Sequence, residues 1–379
     1  MILLHIYGLI IFLYVTFRLI LPLPFRHEIK WLLIAVALAG SQYHLLVRYF
    51  FGSLASPEMP YPALVFFGLT FTTLAVLFAL LLIRDVALLL FALIKLIGVK
   101  ASIPFSPSRR ALAVAGLGGA LGVYGFRNAV SAPDVHSVEI SLARLPKELD
   151  GITIAQITDL HATALLHAPR VAEVVKRTNA IKPDIIVTTG DLVDGSPLNR
   201  AADVAPLKDL RAKYGVFGCE GNHEYYSGHA PWMKAFASLG ITMLHNAHTV
   251  IPINGKFLVL AGVNDPVAPQ FGKPGPDVGV ALTGAPEDAP VILLAHQPLY
   301  ARANSAFPVD VQLSGHTHGG QIWGFDQVVA SRNDGFLRGL YTVGNMRLYV
   351  SPGAGLWTGF PVRLGVPSEI TRIVLRSGK

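Results

Sequence analysis

The chain has 379 residues, 52% of them hydrophobic, and a mean hydropathy of +0.49. This is too apolar for a wholly water-soluble protein of that length, and the length itself suits more than one folding unit. The net charge is +7, but no Lys/Arg-rich run with interleaved aromatics occurs beyond the apolar region, so nucleic acid is not an expected partner; the single Cys219 excludes an intrachain disulfide framework.

The apolar excess lies in the first third of the chain. Residues 1–24 carry only Arg18 as a charge until their end and are long enough for a bilayer, which needs about 20 apolar residues. A second span is expected from Trp31 to Val47, a short stretch that includes Gln42 and His44. Ala63 to Ile83 is the clearest span, interrupted only by Thr70, Thr72 and Thr73 and ended by Arg84-Asp85. Val86 to Val99 contains Lys95 and suits an interfacial helix, whereas Ala111 to Phe126 is a Gly/Ala-rich fourth span built for close helix packing. Residues 1–126 therefore read as a transmembrane region of about four helices plus an interfacial one.

Basic residues set the orientation. Arg26 and Lys30 flank the first connection, and Arg84, Lys95, Lys100, Arg109 and Arg110 crowd the third, while Phe51 to Tyr61 has none. The positive-inside bias places the first and third connections in the cytoplasm and, after four spans, the remainder of the chain outside it. The expected location is the inner membrane with the following domain extracytoplasmic. Ser108-Arg109-Arg110 also looks like a twin-arginine signal, but such a signal normally begins a chain, so the positive-inside reading is preferred.

Residues 127–150 read as a linker, broken at Ser131-Ala132-Pro133, with Val138 to Leu142 alternating as an edge strand would. From 151 to 379 short apolar runs alternate with helical patterns: helices are expected at Arg170 to Ala180, Asp203 to Lys213 and Trp232 to Leu239. Later strands follow closely, at Thr249 to Ile253, Phe257 to Val263, Val291 to Ala295, Val311 to Leu313, Leu348 to Val350 and Ile370 to Leu375, and suggest a second sheet. The fold class expected is α/β, a two-sheet α/β sandwich preceded by the helical transmembrane region.

Five of the strands end in ligand-type side chains. Ile152 to Thr158 runs into Asp159-Leu160-His161, and Ile185 to Val187 leads into Gly190-Asp191-Leu192-Val193-Asp194. Val216 to Cys219 runs into Gly221-Asn222-His223-Glu224, Val291 to Ala295 ends at His296, and Val311 to Leu313 leads into Gly315-His316-Thr317-His318. Open α/β sheets place ligands at the carboxyl ends of their strands, and Asp, Asn and His bind divalent metals through oxygen and imidazole nitrogen.

In this order the motifs Asp-x-His, Gly-Asp-x-x-Asp, Gly-Asn-His-Glu, a lone His and Gly-His-Thr-His resemble the calcineurin-like metallophosphoesterases, and the closing segment with Ser351-Pro352-Gly353 and Trp357 resembles their membrane-attached bacterial branch. The resemblance implies the same two-sheet fold and two divalent metal ions, with Asp191 as the bridge. Asp159, His161 and His318 would complete one metal, and Asn222, His296 and His316 the other. A mixed oxygen and nitrogen set without thiolate suits Mn, Fe or Zn. The resemblance gives His223 the task of protonating the leaving oxygen or stabilising phosphoryl charge.

Asp194 and Glu224 are expected to orient ligand rings or loop backbone, although Asp194 could equally be a solvated carboxylate. Gln321 is a substrate or supporting contact, and Arg338, with Arg332, offers a guanidinium to a second phosphate unless both belong to a charged hairpin. His167, His229, His245 and His248 are expected at surface or turn positions, with His229 a candidate for the substrate mouth. Trp357 and Phe360 could touch lipid at the interface. The reading is a membrane-anchored two-metal hydrolase of phosphoric esters, acting on a phosphodiester or pyrophosphate of a lipid-linked or envelope substrate. A monoesterase or nucleotide phosphodiesterase acting on soluble substrates is the alternative, and a non-catalytic metal-binding membrane module is another.

Overall fold

A computed structural model describes residues 2–51, 57–97 and 106–378. The chain forms two compact units, one of Met1–Asn128 with Gly359–Val362 and one of Ala129–Thr358 with Arg363–Lys379.

The first unit is helical: α1 (Ile2–Val15), continued by a π-helical turn at Thr16–Ile20, then α2 (His27–Ser41), α3 (Tyr43–Phe50), α4 (Tyr61–Leu96) and α5 (Pro107–Val130). The span expected to stop at Arg84-Asp85 instead continues through the stretch assigned to an interfacial helix, so α4 is one helix of 36 residues. The charged pair is accommodated inside it because Arg84 Nη2 lies 2.7 Å from Asp85, Arg18 Nε 2.6 Å, and Tyr14 donates its hydroxyl to Asp85 at 2.7 Å. At a rise of about 1.5 Å per residue such a helix is roughly 54 Å long, well beyond an apolar slab of about 30 Å. Among the described residues α4 is the one single helix long and apolar enough to cross a membrane, and α2 with α3, bent by 53°, could form a second crossing. Part of the Phe51 to Tyr61 connection and residues 98–105, with Lys100, lie outside the described residues.

The tetrapeptide Gly359–Val362 belongs with these helices and not with the sheets. Its Gly359 carbonyl is 3.0 Å from His44 Nε2 and accepts from Tyr43 Oη at 3.3 Å, while Thr72 donates to the Pro361 carbonyl at 2.9 Å. Phe360, expected to face lipid, packs edge-on against Phe71 at a centroid distance of 5.9 Å.

Among the described residues the second unit holds twelve strands: β1 (Asp134–Leu142), β2 (Thr153–Ile157), β3 (Ile185–Thr189), β4 (Val216–Cys219), β5 (Ile241–Met243), β6 (Ala247–Ile253), β7 (Lys256–Gly262), β8 (Val291–Leu294), β9 (Val311–Ser314), β10 (Gly339–Val343), β11 (Met346–Val350) and β12 (Glu369–Ser377). They make two mixed sheets, ordered β1-β12-β2-β3-β4-β5 and β10-β11-β9-β8-β7-β6. β2 to β5 run parallel, as do β7, β8, β9 and β11. β12, which the pattern of closely spaced strands suggests for the second sheet, lies in the first, antiparallel to β2 and parallel to β1.

The sheets share a core of buried residues from both, among them Ile154, Ile185, Phe217, Leu258, Ile292 and Leu313. Helices cover the other face of the first sheet with Val171, Val174, Trp232 and Phe236. Burial on both faces explains why these parallel strands read as continuous apolar runs. The helix expected at Asp203 to Lys213 lies earlier, at Pro197–Val204, and passes into a 3-10 turn at Ala205–Asp209. Pro206 removes a backbone donor there, which disfavours a continuing α-helix.

Candidate metal centre

Parallel pairing of β2, β3 and β4 in one sheet and of β8 and β9 in the other brings five carboxyl ends together. The structure gathers Asp159, His161 and His318 into one group of ligand atoms and Asp191, His296 and His316 into a second, in each case within 4.8 Å of one another. One oxygen relates the two groups: Asp191 Oδ2 is 3.1 Å from His296 Nε2 and 3.7 Å from His161 Nε2. The other oxygen of Asp191 accepts the His223 amide at 2.8 Å, which fixes the plane of the carboxylate.

Each ligand-type ring is aimed by its other nitrogen. His161 Nδ1 is 3.0 Å from Asp194 Oδ2, and His296 Nδ1 donates to the Thr189 carbonyl at 2.7 Å, so both present Nε2 to the centre. Asp159 accepts the His316 amide at 3.0 Å on each oxygen and the Thr158 hydroxyl at 2.8 Å. Asn222 Oδ1 is buried without a hydrogen-bond partner among the described residues, and His318 Nε2 faces His161 Nε2 at 3.2 Å and Asp159 Oδ1 at 3.6 Å. Buried polar atoms normally find a partner, and an unsatisfied amide oxygen with converging imidazole nitrogens beside two buried carboxylates fits a pair of divalent cations.

The electrostatics agree. Burial opposes a charge on His296, yet Asp191 and Asp159 outweigh it and hold the imidazole well above its usual range. A proton is thus drawn to where a cation belongs. His316 is pushed down to about 3 by burial, reinforced by His296, and His318 also falls well below normal, so both rings are neutral, as a metal ligand must be.

The backbone is strained at the same positions. Asp159, His161, Asp191, His316 and His318 all have φ between +45° and +71°, in the left-handed region where side chains are uncommon. The loops must also approach closely. A Cβ on Gly221 would lie 2.3 Å from Asp191 Oδ1, and one on Gly315 2.2 Å from Asp159 Oδ2, so neither position accepts a side chain.

Around the centre, Asp194 is buried, and its second oxygen meets His223 Nδ1 at 2.5 Å. Burial works against charge on His223, but Asp194 and Asp191 overcome it and hold the ring up at about 9. The solvated reading of Asp194 is thereby excluded. Glu224 accepts the amides of Asp191 at 3.0 Å, Leu192 at 2.6 Å and Gly221 at 2.7 Å, tying two strand-end turns together. Arg338 donates to the Gly319 carbonyl at 2.5 Å and to Asp326 at 3.1 Å, so its guanidinium braces the His-Thr-His loop. It is not in a charged hairpin but directly precedes β10, a strand absent from the sequence reading. The backbone of Gln321 continues that loop, donating to His318 and accepting from Leu364.

Three groups were not singled out from the sequence. Arg363 is buried and donates to the carbonyls of Pro352 and Gly355, both at 2.7 Å, holding the closing segment. Asp265, raised to about 6 by burial and the Asp191 charge, accepts from Gln297, the neighbour of His296, at 3.0 Å. It follows β7, so the same strand-end signal also reaches it. Glu220 receives His229 and His245, neither of which is an isolated surface histidine. The His248 ring, by contrast, meets a backbone carbonyl, that of Ala281, at 2.7 Å.

Residues 152–320 match the calcineurin-like phosphoesterase family. The chain is 35% identical over 265 residues to a "Transmembrane protein with metallophosphoesterase domain" of Danio rerio, covering 68% of this chain and 60% of that protein. It is 30% identical to an uncharacterized metallophosphoesterase of Bacillus subtilis (strain 168), covering 64% of this chain and 84% of the relative. With one of Aquifex aeolicus (strain VF5) it shares 33% identity over 64% of this chain and 91% of the relative. The chain thus spans only about 60% of the vertebrate relative's length but nearly the whole of the Aquifex protein. Sequence, fold and site geometry agree that this chain belongs to the calcineurin-like phosphoesterase family.

Proposed function

We propose that the protein is a membrane-anchored hydrolase of phosphoric esters that works with two divalent metal ions. The observation that carries this reading is the single oxygen of Asp191 set between His161 and His296, each within a separate group of ligands. Bound at that pair of sites, two ions would supply a hydroxide nucleophile at neutral pH and offset the charge that grows on the phosphoryl oxygens. Asp159, His161 and His318 would hold the first ion and Asn222, His296 and His316 the second, with Asp191 as the shared ligand. Mn, Fe or Zn suits the donor set.

His223 acts on the substrate. Its Nδ1 is occupied by Asp194, which leaves Nε2 to give a proton to the departing oxygen. Asp194 holds both this ring and that of His161, so the acid and one metal ligand are positioned by one carboxylate. Glu224 and Arg338 fix the loops, and Gln321 stands beside them as a candidate substrate contact.

The apolar α4 and a relative named as a transmembrane protein support the anchor. Lys95 in the last turn of α4 and Arg109 and Arg110 in the first turn of α5 favour a cytoplasmic side for the connection between these helices in an inner membrane, and a crossing by α5 then leaves the sheets outside. An anchored site outside the cytoplasm is suited to lipid-linked or envelope phosphodiesters and pyrophosphates. Purified full-length protein with added Mn should hydrolyse a generic phosphodiester faster than a generic phosphomonoester. Asp191→Asn should abolish most turnover and most metal binding, because a neutral bridge cannot offset two adjacent dications. Two ions per chain and near-normal turnover in that variant would refute the bridging role. A strong preference for monoesters would leave the centre standing and move the substrate to the soluble class.

A further inference from the structure

A second cluster of metal-ligating side chains lies outside the centre described above. Glu220 directly follows β4, His229 begins the helix His229–Ser238, and His245 follows β5. One oxygen of Glu220 meets His229 Nε2 at 2.9 Å and His245 Nδ1 at 2.6 Å, and the three ligand atoms lie within 4.8 Å of one another. Its other oxygen accepts the Tyr225 hydroxyl, which fixes the carboxylate from behind. Tyr225 in turn stacks on the His229 ring at 4.3 Å between centroids.

The surroundings leave room for further ligands. Glu220 is fully buried, but His229 is 17% and His245 38% exposed, and both open onto a cavity of about 880 Å³ bordered by Asn246, Asn264 and Lys273. Two imidazoles and a carboxylate with open positions form a donor set that holds zinc and similar transition ions, and an outer hydroxyl on the carboxylate is the usual support for such a ligand. We propose that Glu220, His229 and His245 bind a third divalent transition metal ion, with water completing its coordination from the cavity.

The location gives the ion a task. Glu220 and His229 bracket the segment Gly221 to Gly228, which carries Asn222, His223 and Glu224, and His245 ties both ends to the adjoining strand. A metal there braces the loop that supplies the candidate acid and one ligand of the two-ion centre.

The test uses the full-length protein in detergent, stripped with a chelator, dialysed against zinc and measured by elemental analysis. Wild type should bind one more ion per chain than the double variant His229→Asn with His245→Gln. A difference of zero overturns the proposal whatever the total. The total itself tests the two-ion centre separately: three in wild type supports both sites, and one in wild type with none in the double variant supports the third site alone. Wild-type protein loaded with cadmium provides a measurement that needs no variant to fold. Its NMR spectrum should contain a cadmium resonance coupled to the ring protons of two histidines, which assignment places at His229 and His245, and absence of that coupling overturns the proposal.

Discussion

Replacing Asp194 by Asn preserves shape and removes one acceptor at a position where two are in use. His161 Nδ1 and His223 Nδ1 each face a separate oxygen of this buried carboxylate, at 3.0 and 2.5 Å. The amide offers one oxygen and one NH2, so one imidazole must either oppose donor to donor or move its proton to Nε2. If His161 is the one, its Nε2 can no longer bind a metal. Loss of such an outer partner usually lowers metal affinity by about 10- to 100-fold, or about 1.4 to 2.7 kcal/mol. If His223 is the one, Nε2 holds its proton without a carboxylate to stabilise the charged ring, and about 10²- to 10⁴-fold of general acid catalysis is at risk. On an ester with a poor leaving group, Asp194→Asn should therefore reduce turnover by about 10- to 100-fold at limiting metal through His161, or by about 10²-fold or more at any metal concentration through His223. The assay is initial rate against metal concentration, with bound metal measured alongside. Recovery at high metal would assign the loss to His161, and a deficit that persists at saturation would assign it to His223. Wild-type rates across the whole metal range would refute the shared-carboxylate argument.

Three other outcomes are expected. His223→Ala should retain bound metal while slowing alkyl phosphodiesters by about 10²- to 10⁴-fold and activated aryl esters much less, as compared in parallel rate assays; equal losses on both would show that the ring stabilises charge and does not donate a proton. Glu224→Gln turns an amide NH2 toward one of three backbone donors, and a buried donor left unsatisfied costs about 1–3 kcal/mol, so the melting temperature of the sheet unit should fall by about 2–4 °C per kcal/mol. Protease added to intact spheroplasts should digest the sheet unit, and Cys219, buried in the fold, should react with an impermeant thiol reagent only after denaturation at the outer face; complete protection until lysis would reverse the orientation.

The strands that deliver the centre were legible because each is an apolar run ending in a ligand-type residue, a local pattern. Asp159, Asp191, Asn222, His296 and His316 all stand where such runs predict. What escaped was set by distance in the chain. Arg363 is held by carbonyls 8 and 11 residues before it, beyond any helical or strand period, and Glu220 meets His245 across 25 residues. The place of β12 in the first sheet was hidden for the same reason, since its run carries no mark of which strands it will pair with. In the helical unit the charges at Arg84-Asp85 looked like a terminus because their partners, Tyr14 and Arg18, come from a helix much earlier in the chain.

The strain at the centre follows from this architecture and explains why the loops brace one another. Five of the ligand positions proposed here adopt left-handed backbone, each at about 1 kcal/mol or more, a sum comparable with the stability of a whole domain at about 5–15 kcal/mol. No single strand end could hold such a conformation. The loops are instead cross-linked: Asp159 donates its amide to Gly190, His161 to Asp191, Ala162 to Leu192, and Asp194 returns a bond to Ala162. Two parallel strands thereby extend their ladder past their own ends, and the carboxylates are presented at the point where pairing stops. A divalent ion bound there interacts only with the folded state, so its binding free energy adds to stability as RT ln(1 + [L]/Kd), about 2.7 kcal/mol at a hundredfold excess over Kd. The strained turns are therefore the segment that metal removal releases first, and hydrogen exchange at Asp159, His161 and Asp191 should rise on chelation while the amides of β3, buried between its neighbours, stay protected.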